Sequence, residues 1–462
     1  MSGDAKKRWL YIPIETKVRE FHGKLLLACT AAEAGFNVVL GGKLLTSVVN
    51  DLPPGIWIDK SVATSKEDFF RHLLDLGHKV TALDEEGLVI LNPEAYREKR
   101  ISAKSLSMTS RFFAWGEAHK EIVCLDRKSE CLDILATGNP RFDLLRPEIR
   151  GMFARDAENI RQKYGPFVLI NTNFGIYNNY YDQEYYFQNV FKQKGLKLHT
   201  ETEEFFRGYR EYKGQMYHNF REMILRISEA LPSLNFIVRP HPVENHKEWE
   251  IYAQELSNVA VLHEGNAVPW MMAAKAVIHN GCTTGVEAFM LNVPVIAYQP
   301  IKSEQFDIYL PNALSNSVCS INEMVDLLRD INNSEWSQNA GDELKKIQEK
   351  HITGYDGPLA SDRIIEVLDH MPNNYFTLSL SKMIKIKFMK YLIPTFRQVL
   401  RNTIKRNISN YGEQKFPGLK MDEVVNGIKQ MREVTKRFAG IEVNCLAKDC
   451  YLISKGLDKK VN

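Results

Sequence analysis

Short continuous apolar runs alternate with longer segments of helical period along most of this chain. In the first half Trp9–Ile14, Asn37–Leu40, Gly55–Ile58, Lys79–Leu83, Arg111–Trp115 and Leu132–Ala136 read as strands, and in the second Phe167–Ile170, Phe236–Val238 and Ala276–Ile278 do. Runs that are apolar on both faces and bounded by turn residues belong to parallel strands covered by helices on each side. The segments between them predict helices: Lys24–Ala34 stopped by Gly35, Lys66–Leu76, Glu117–Val123, the polar connector Arg146–Tyr164, Met216–Leu231, Ile321–Ile331 and one around Glu343–Lys350. A late helix within Ile352–Leu368, with Ser361 or Asp362 as its cap, is of the kind that crosses back to a first lobe. The expected fold class is α/β, with two Rossmann-like lobes (1–160 and 161–370), a cleft between them, and a mainly helical extension at 371–462. Residues 176–215, rich in Tyr, Phe, Asn and Gln, read as an insertion or long loop with helical parts, and no internal repeat is evident.

Open α/β sheets bind ligands beyond the carboxyl ends of their strands, so the polar residues that follow each run are the candidates for chemistry. After the first strand come Glu15, Lys17, Arg19, Glu20 and His22, either an acceptor-side cluster or a solvated helix start. After Lys79–Leu83 come Asp84, Glu85, Glu86 and Gly87; adjacent carboxylates repel, so one can keep a raised pKa and act as a base, the alternative being a solvated acidic turn. Arg141 and Asp143 in Thr137–Asp143 either pair locally or meet a substrate. The second half offers Arg239-Pro240-His241-Pro242 and His279-Asn280-Gly281, the latter feeding a helix that carries Thr283, Thr284 and Glu287. A helix N-terminus presents backbone N–H groups and a positive dipole end, which suits a phosphate.

With 462 residues, 44% hydrophobic and 25% charged, the chain is an ordinary soluble composition with room for two or three cores. A net charge of +3 argues against a globally basic nucleic-acid binder, and nucleic acid is not an expected partner. Seven scattered cysteines without a C-x-x-C pair indicate neither a disulfide framework nor a zinc site, and the absence of a signal-like or spanning segment places the expected site of action in the cytoplasm. One stretch changes that picture. From His370 to Gly412 there is no acidic residue, while Lys382, Lys385, Lys387, Lys390, Arg397, Arg401, Lys405 and Arg406 are basic, with Phe396, Val399, Leu400 and Ile404 on a separate helical face. Residues 382–406 therefore read as a helix on an anionic membrane surface, partner docking and a nucleic-acid patch being the alternatives, which makes the protein peripheral at the inner face of the membrane. Met421–Gly440 is a further amphipathic helix.

The pair RPHP and HNGCTTGVEAFMLNVPVIAY resembles the carboxyl lobe of GT-B glycosyltransferases acting on bacterial surface polysaccharides, in particular CMP-Kdo-using β-Kdo transferases of capsule and lipopolysaccharide assembly, and more distantly CDP-glycerol glycerophosphotransferases. TGNPRFD and IPIETKVREFHGKLLLA look like surface carbohydrate biosynthesis proteins, so the resemblance spans about residues 8–370. In bacterial sialyltransferases an acidic-acidic-Gly motif supplies the base and His-Pro contacts the donor phosphate. The resemblance thus implies a base at Glu86, with Glu85 and Asp84 behind it, and phosphate contacts from Arg239, His241, Pro242, Asn280, Gly281, Thr283 and Thr284, with Glu287 on ribose hydroxyls. Cys282-Thr283-Thr284 stands where the glycerophosphotransferases commonly have a pair of serines. The implied activity is inverting transfer of a sugar, Kdo or another ulosonic acid, from a CMP-linked donor to a glycan or lipid-linked acceptor. No Asp-x-Asp motif is present, so no metal and no cofactor beyond the donor is expected. The alternatives are a CDP-glycerol-type glycerophosphotransferase, a non-catalytic assembly protein of GT-B fold docking through its extension, and, as a minor one, an epimerase of the UDP-GlcNAc 2-epimerase type.

Overall fold

The computed structural model describes residues 8–125, 133–179, 200–335, 341–372 and 416–456. The described residues form an α/β fold with two mostly parallel sheets. Two compact units divide the chain: Met1–Glu85, Arg100–Leu144 and Thr353–Asn462 make the first, Glu86–Lys99 and Leu145–Ile352 the second. The division is discontinuous in sequence, where the sequence reading drew continuous blocks ending at 160 and 370.

In the first unit β1 (Trp9–Pro13), β2 (Asn37–Gly41), β3 (Ile56–Asp59), β4 (Lys79–Leu83), β5 (Thr109–Ala114) and β6 (Asp133–Ala136) pair in parallel in the order β2-β1-β3-β4-β5-β6. The first helix starts at Lys17, a full turn and more before the expected Lys24, because the Glu20 carboxylate turns back to accept the backbone N–H groups of Glu15 (3.0 Å) and Thr16 (3.1 Å) and so caps its own N-terminus. From Lys24 to Ala32 this helix is buried on every side, which accounts for its apolar run Leu25–Cys29.

The second unit holds β7 (Phe167–Asn171), β8 (Asn235–Arg239), β9 (Val259–Val261), β10 (Ala276–His279), β11 (Val295–Tyr298) and β12 (Asn316–Val318), parallel and ordered β12-β11-β10-β7-β8-β9. In order of appearance that is 3-2-1-4-5-6, whose direction reverses between β7 and β10. The helix Thr200–Ala230 begins well before the expected Met216 and lays Tyr212, Met216, Phe220, Met223, Ile224 and Ile227 into a core shared with Val168, Phe236, Ile278 and Ile296.

After Thr353 the chain belongs to the first unit again. The helix Ala360–Asp369 is capped by neither Ser361 nor Asp362: the Asp143 carboxylate accepts the N–H groups of Ala360 (2.8 Å) and Ser361 (2.9 Å) and the Ser361 hydroxyl (2.8 Å). The expected basic helix at 382–406 lies outside the described residues. Beyond it the extension is not only helical. Met421–Thr435 is a helix whose Gly427 sits against Leu25, and β13 (Ile441–Ala447) and β14 (Cys450–Lys455) form an antiparallel hairpin that joins the sheet where β14 pairs with β2. No helix among the described residues is long and apolar enough to cross a membrane.

Candidate functional site

Each unit presents its own cluster at the carboxyl ends of its strands. In the first, a pocket opens beyond β1, β3 and β4, lined by Ile12, Glu20, Lys24, Asp59, Glu85, Asn139 and Arg141 among others, with room for about one hydroxyl or water. Four of the lining side chains, Glu20, Lys24, Glu85 and Arg141, carry charge face to face. Lys24 Nζ donates to Glu20 Oε2 at 2.7 Å and to the Pro13 carbonyl at 2.6 Å, and stands 3.8 Å from Glu85 Oε1. The Arg141 guanidinium stands 4.0 Å from Glu85 Oε2. That oxygen is buried and receives no hydrogen bond among the described residues, and neither does the buried Nδ2 of Asn139, whose Oδ1 is taken by the Arg141 N–H at 2.9 Å. An unpaired acceptor and an unpaired donor thus border one small pocket.

The two carboxylates of this cluster are driven apart. Burial pushes Glu20 up, but Lys24 and the Glu15 N–H outweigh it and hold the group down at about 2. Burial also pushes Glu85 up and here prevails: Lys24 is already shared with Glu20, and the Glu20 charge adds to the rise. Lys24 itself would be lowered by burial, but Glu20 and Glu85 raise it and keep it cationic.

The residues of the acidic turn separate in the same way. Asp84 is buried and ion-paired with Arg100, and its backbone carbonyl accepts the indole N–H of Trp115 at 2.6 Å. Glu86, the expected base, is exposed on the turn. Of the acceptor-side candidates, Glu20 lies in the pocket. Glu15 is exposed and pairs with Lys60, Arg19 stands 3.8 Å from Glu20, and Lys17 holds Glu423 at 2.6 Å and the Gly418 carbonyl at 2.7 Å, fastening the late helix to the first.

In the second unit the carboxyl ends of β7 and β10 flank the reversal of strand order, the usual ligand crevice of such sheets. The Gly281 backbone turns at φ 80°, and the helix Thr283–Met290 follows with Cys282 as N-cap and no side-chain cap bond. Thr283 and Thr284 form its first, half-buried turn, and Glu287 is buried one turn in. His279 is a structural ring: Nδ1 accepts the Gly281 N–H at 2.9 Å, Nε2 meets Ser315 Oγ at 2.8 Å, and burial pushes its pKa down to about 3. Gly285 is glycine because a Cβ there would lie 2.5 Å from that ring. Asn280 donates from Nδ2 to the Asn173 carbonyl at 3.2 Å and leaves its buried Oδ1 without a partner.

The RPHP turn divides its labour. Arg239 is buried and donates to the carbonyls of Glu264 (2.8 Å) and Gly265 (2.6 Å), so its guanidinium supports the neighbouring loop instead of facing open space. The His241 side chain is exposed at the end of β8, with half-buried Pro242 beside it. Behind them Glu244 accepts from the Thr172 hydroxyl (2.8 Å) and from the N–H groups of Phe174 (3.0 Å), His241 (3.1 Å) and the Trp249 indole (2.9 Å), binding the ends of β7 and β8 together. Sequence reasoning missed Glu244 in this part, together with Lys24, Asn139 and Lys213. Lys24 had a signal, a cation set directly before the apolar run Leu25–Cys29; Lys213, among aromatic and polar neighbours, had none.

No protein-family model matches the sequence, and neither does any protein of curated function. Among solved structures the chain is similar to the UDP-GlcNAc 2-epimerase of Methanocaldococcus jannaschii in complex with UDP-GlcNAc and UDP (TM-score 0.46, 11% identity, 79% of this chain and 100% of that one). It is similar also to the UDP-GlcNAc 2-epimerase of Neisseria meningitidis bound to UDP-GlcNAc (TM-score 0.44, 12% identity, 78% and 98%). A third is the wall teichoic acid polymerase TagF soaked with CDPG (TM-score 0.44, 10% identity, 79% and 88%). At 10–12% identity the likeness is one of fold alone.

Proposed function

We propose that this protein is a transferase that moves a group from a nucleotide-linked donor to an acceptor hydroxyl, with the first unit supplying the base and the second unit holding the donor phosphate. The observation that carries the reading is Glu85: a buried carboxylate, raised above its ordinary pKa, with one oxygen that receives no hydrogen bond among the described residues, in a pocket with room for about one hydroxyl. A carboxylate whose pKa lies closer to neutrality takes a hydroxyl proton more readily than an ordinary one. The acceptor oxygen gives its proton to Glu85 and forms a bond to the donor's anomeric carbon as the bond from that carbon to the phosphate oxygen breaks, with inversion. The phosphate departs with the electron pair. Lys24 and Arg141 keep the Glu85 charge tolerable before transfer, and Asn139 Nδ2 orients the hydroxyl. Cationic groups and the start of the helix Thr283–Met290 receive the leaving phosphate.

The sequence motifs favour a CMP-linked ulosonic acid as donor and a surface glycan or lipid-linked glycan as acceptor, without a metal. The basic segment 382–406 would keep the enzyme beside an anionic membrane. Glycerol phosphate transfer from CDP-glycerol uses the same parts and is the second reading.

Purified protein is expected to release CMP from a CMP-linked ulosonic acid only when acceptor is present. Glu85→Gln lowers kcat by about 10²- to 10⁴-fold, the range of a lost general base, with the fold intact by circular dichroism, while Glu86→Gln stays within about threefold of wild type, as for an exposed residue away from the reacting atoms. Full activity in Glu85→Gln overturns the assignment of the base. Phosphorus in the glycan product moves the reading to the glycerophosphotransferase, and no thermal protection by any cytidine nucleotide removes the donor.

A further inference from the structure

The buried groups of the second unit include one that its fold does not explain. Lys213, on the helix Thr200–Ala230, is 3% exposed, and its Nζ donates to the Asn280 carbonyl at 3.0 Å with the rings of Phe174 and Tyr209 at 5.8 and 5.7 Å. Among the described residues it has no ion pair. The acids that face it are engaged elsewhere: Asp307 accepts the Tyr212 hydroxyl and the Ser303 N–H (3.0 Å), and Glu244 holds the β7 and β8 loops. Burying an ammonium without a counter-charge costs several kcal/mol, roughly, that one neutral acceptor does not repay.

Packing forces Lys213 into this position. Its helix neighbours Tyr212 and Met216 anchor in the core, and the helix approaches so closely that a Cβ on Gly214 would lie 2.6 Å from the Tyr177 ring. The ammonium lands in a pocket at the carboxyl ends of β10 and β11, which Asn280, Gly281, Gln299 and Asn312 also line. The same pocket borders the unpaired Oδ1 of Asn280, a second buried polar atom lacking a partner, and the loop entering the helix Thr283–Met290.

We propose that Lys213 is a ligand-binding residue of this pocket and that its missing counter-charge is a phosphate group, which the reading above assigns to the nucleotide donor. Two of the three ammonium N–H groups remain for phosphate oxygens once Asn280 has taken one. Burial lowers the Lys213 pKa to about 8, partly offset by the acids Glu244 and Asp307, so an arriving anion meets an ammonium that is still mostly protonated at neutral pH.

The test is calorimetric titration of full-length wild type, Lys213→Met and Lys213→Arg with CMP, cytidine and inorganic pyrophosphate. Lys213→Met is expected to weaken CMP and pyrophosphate by about 10- to 100-fold, the range of a lost charge-assisted hydrogen bond, and to leave cytidine unchanged, with Lys213→Arg recovering most of the loss. Ligand-free Lys213→Met melts no lower than wild type, because it sheds a buried charge while keeping the stem. CMP and pyrophosphate binding Lys213→Met as tightly as wild type overturns the proposal, as does the absence of pyrophosphate binding in wild type. Lys213-dependent pyrophosphate binding without any nucleotide binding upholds the anion site and removes the nucleotide donor instead.

Discussion

Glu85 and Glu86 are adjacent identical residues, and the fold gives them different surroundings: one closed in with two cations and a carboxylate, the other exposed. Local sequence pointed to the acids of Asp84–Gly87, but which of the three is closed in depends on Lys24, Asn139 and Arg141, which come from far along the chain. A pH prediction follows for the second unit. A bound anion favours the protonated form of Lys213, so CMP affinity should fall as pH rises past about 8, and proton uptake on binding should show in buffers of different ionisation heat. Of the groups that face it, His279 stays neutral with its pKa at about 3, burial keeps Cys282 a thiol and pushes Glu244 up, and Asp307 and Tyr212 are bonded to each other, so the signal belongs to Lys213 and moves upward in Lys213→Arg. At Gly285, Gly→Ala gains about 1 kcal/mol of helix propensity but drives a methyl into the His279 ring, and a net loss of about 1–3 kcal/mol in urea unfolding is expected.

At the scale of elements, the runs that are apolar on both faces became the buried parallel strands they predicted, with Lys79–Leu83 matching β4 to the residue. Helix starts were the weaker part, for a physical reason in each case. The first helix begins early because Glu20 caps it from inside, and the late helix Ala360–Asp369 takes its cap from Asp143, more than two hundred residues away in sequence. Asp143→Ala is expected to cost about 1–3 kcal/mol, measured by urea unfolding followed by circular dichroism, since it leaves three donors of a buried helix start unsatisfied. The β13–β14 hairpin had no visible place in the sequence reading because its docking surface, β2, is at the other end of the chain. Removing residues 416–462 uncovers β2, the Gly42 contact with Phe416 and the Leu25 face of the first helix, and should yield insoluble protein or a clear loss of cooperative unfolding.

For the molecule as a whole, buried and half-buried histidines shape the response to acid. Burial pushes His22, His78, His119 and His263 down to about 4 and His279 to about 3, so each is neutral when folded. Below the unfolded value of about 6.5 the unfolded chain binds more protons than the folded one. Stability therefore falls as pH drops from about 6.5 toward 4, by on the order of 1.4 kcal/mol per pH unit for each such group, and the urea midpoint should decline over that window in both units. The sequence by itself determined the α/β class, the parallel strands of the two sheets and where those strands end, because continuous apolar runs and the turn residues after them are local properties. Only the tertiary structure decided that Glu85 is the closed-in carboxylate, that Lys213 is an ammonium without an ion pair among the described residues, that Asp143 caps a distant helix and that the β13–β14 hairpin extends the first sheet. Each of these depends on burial and on pairing between residues far apart in sequence, which no local pattern encodes.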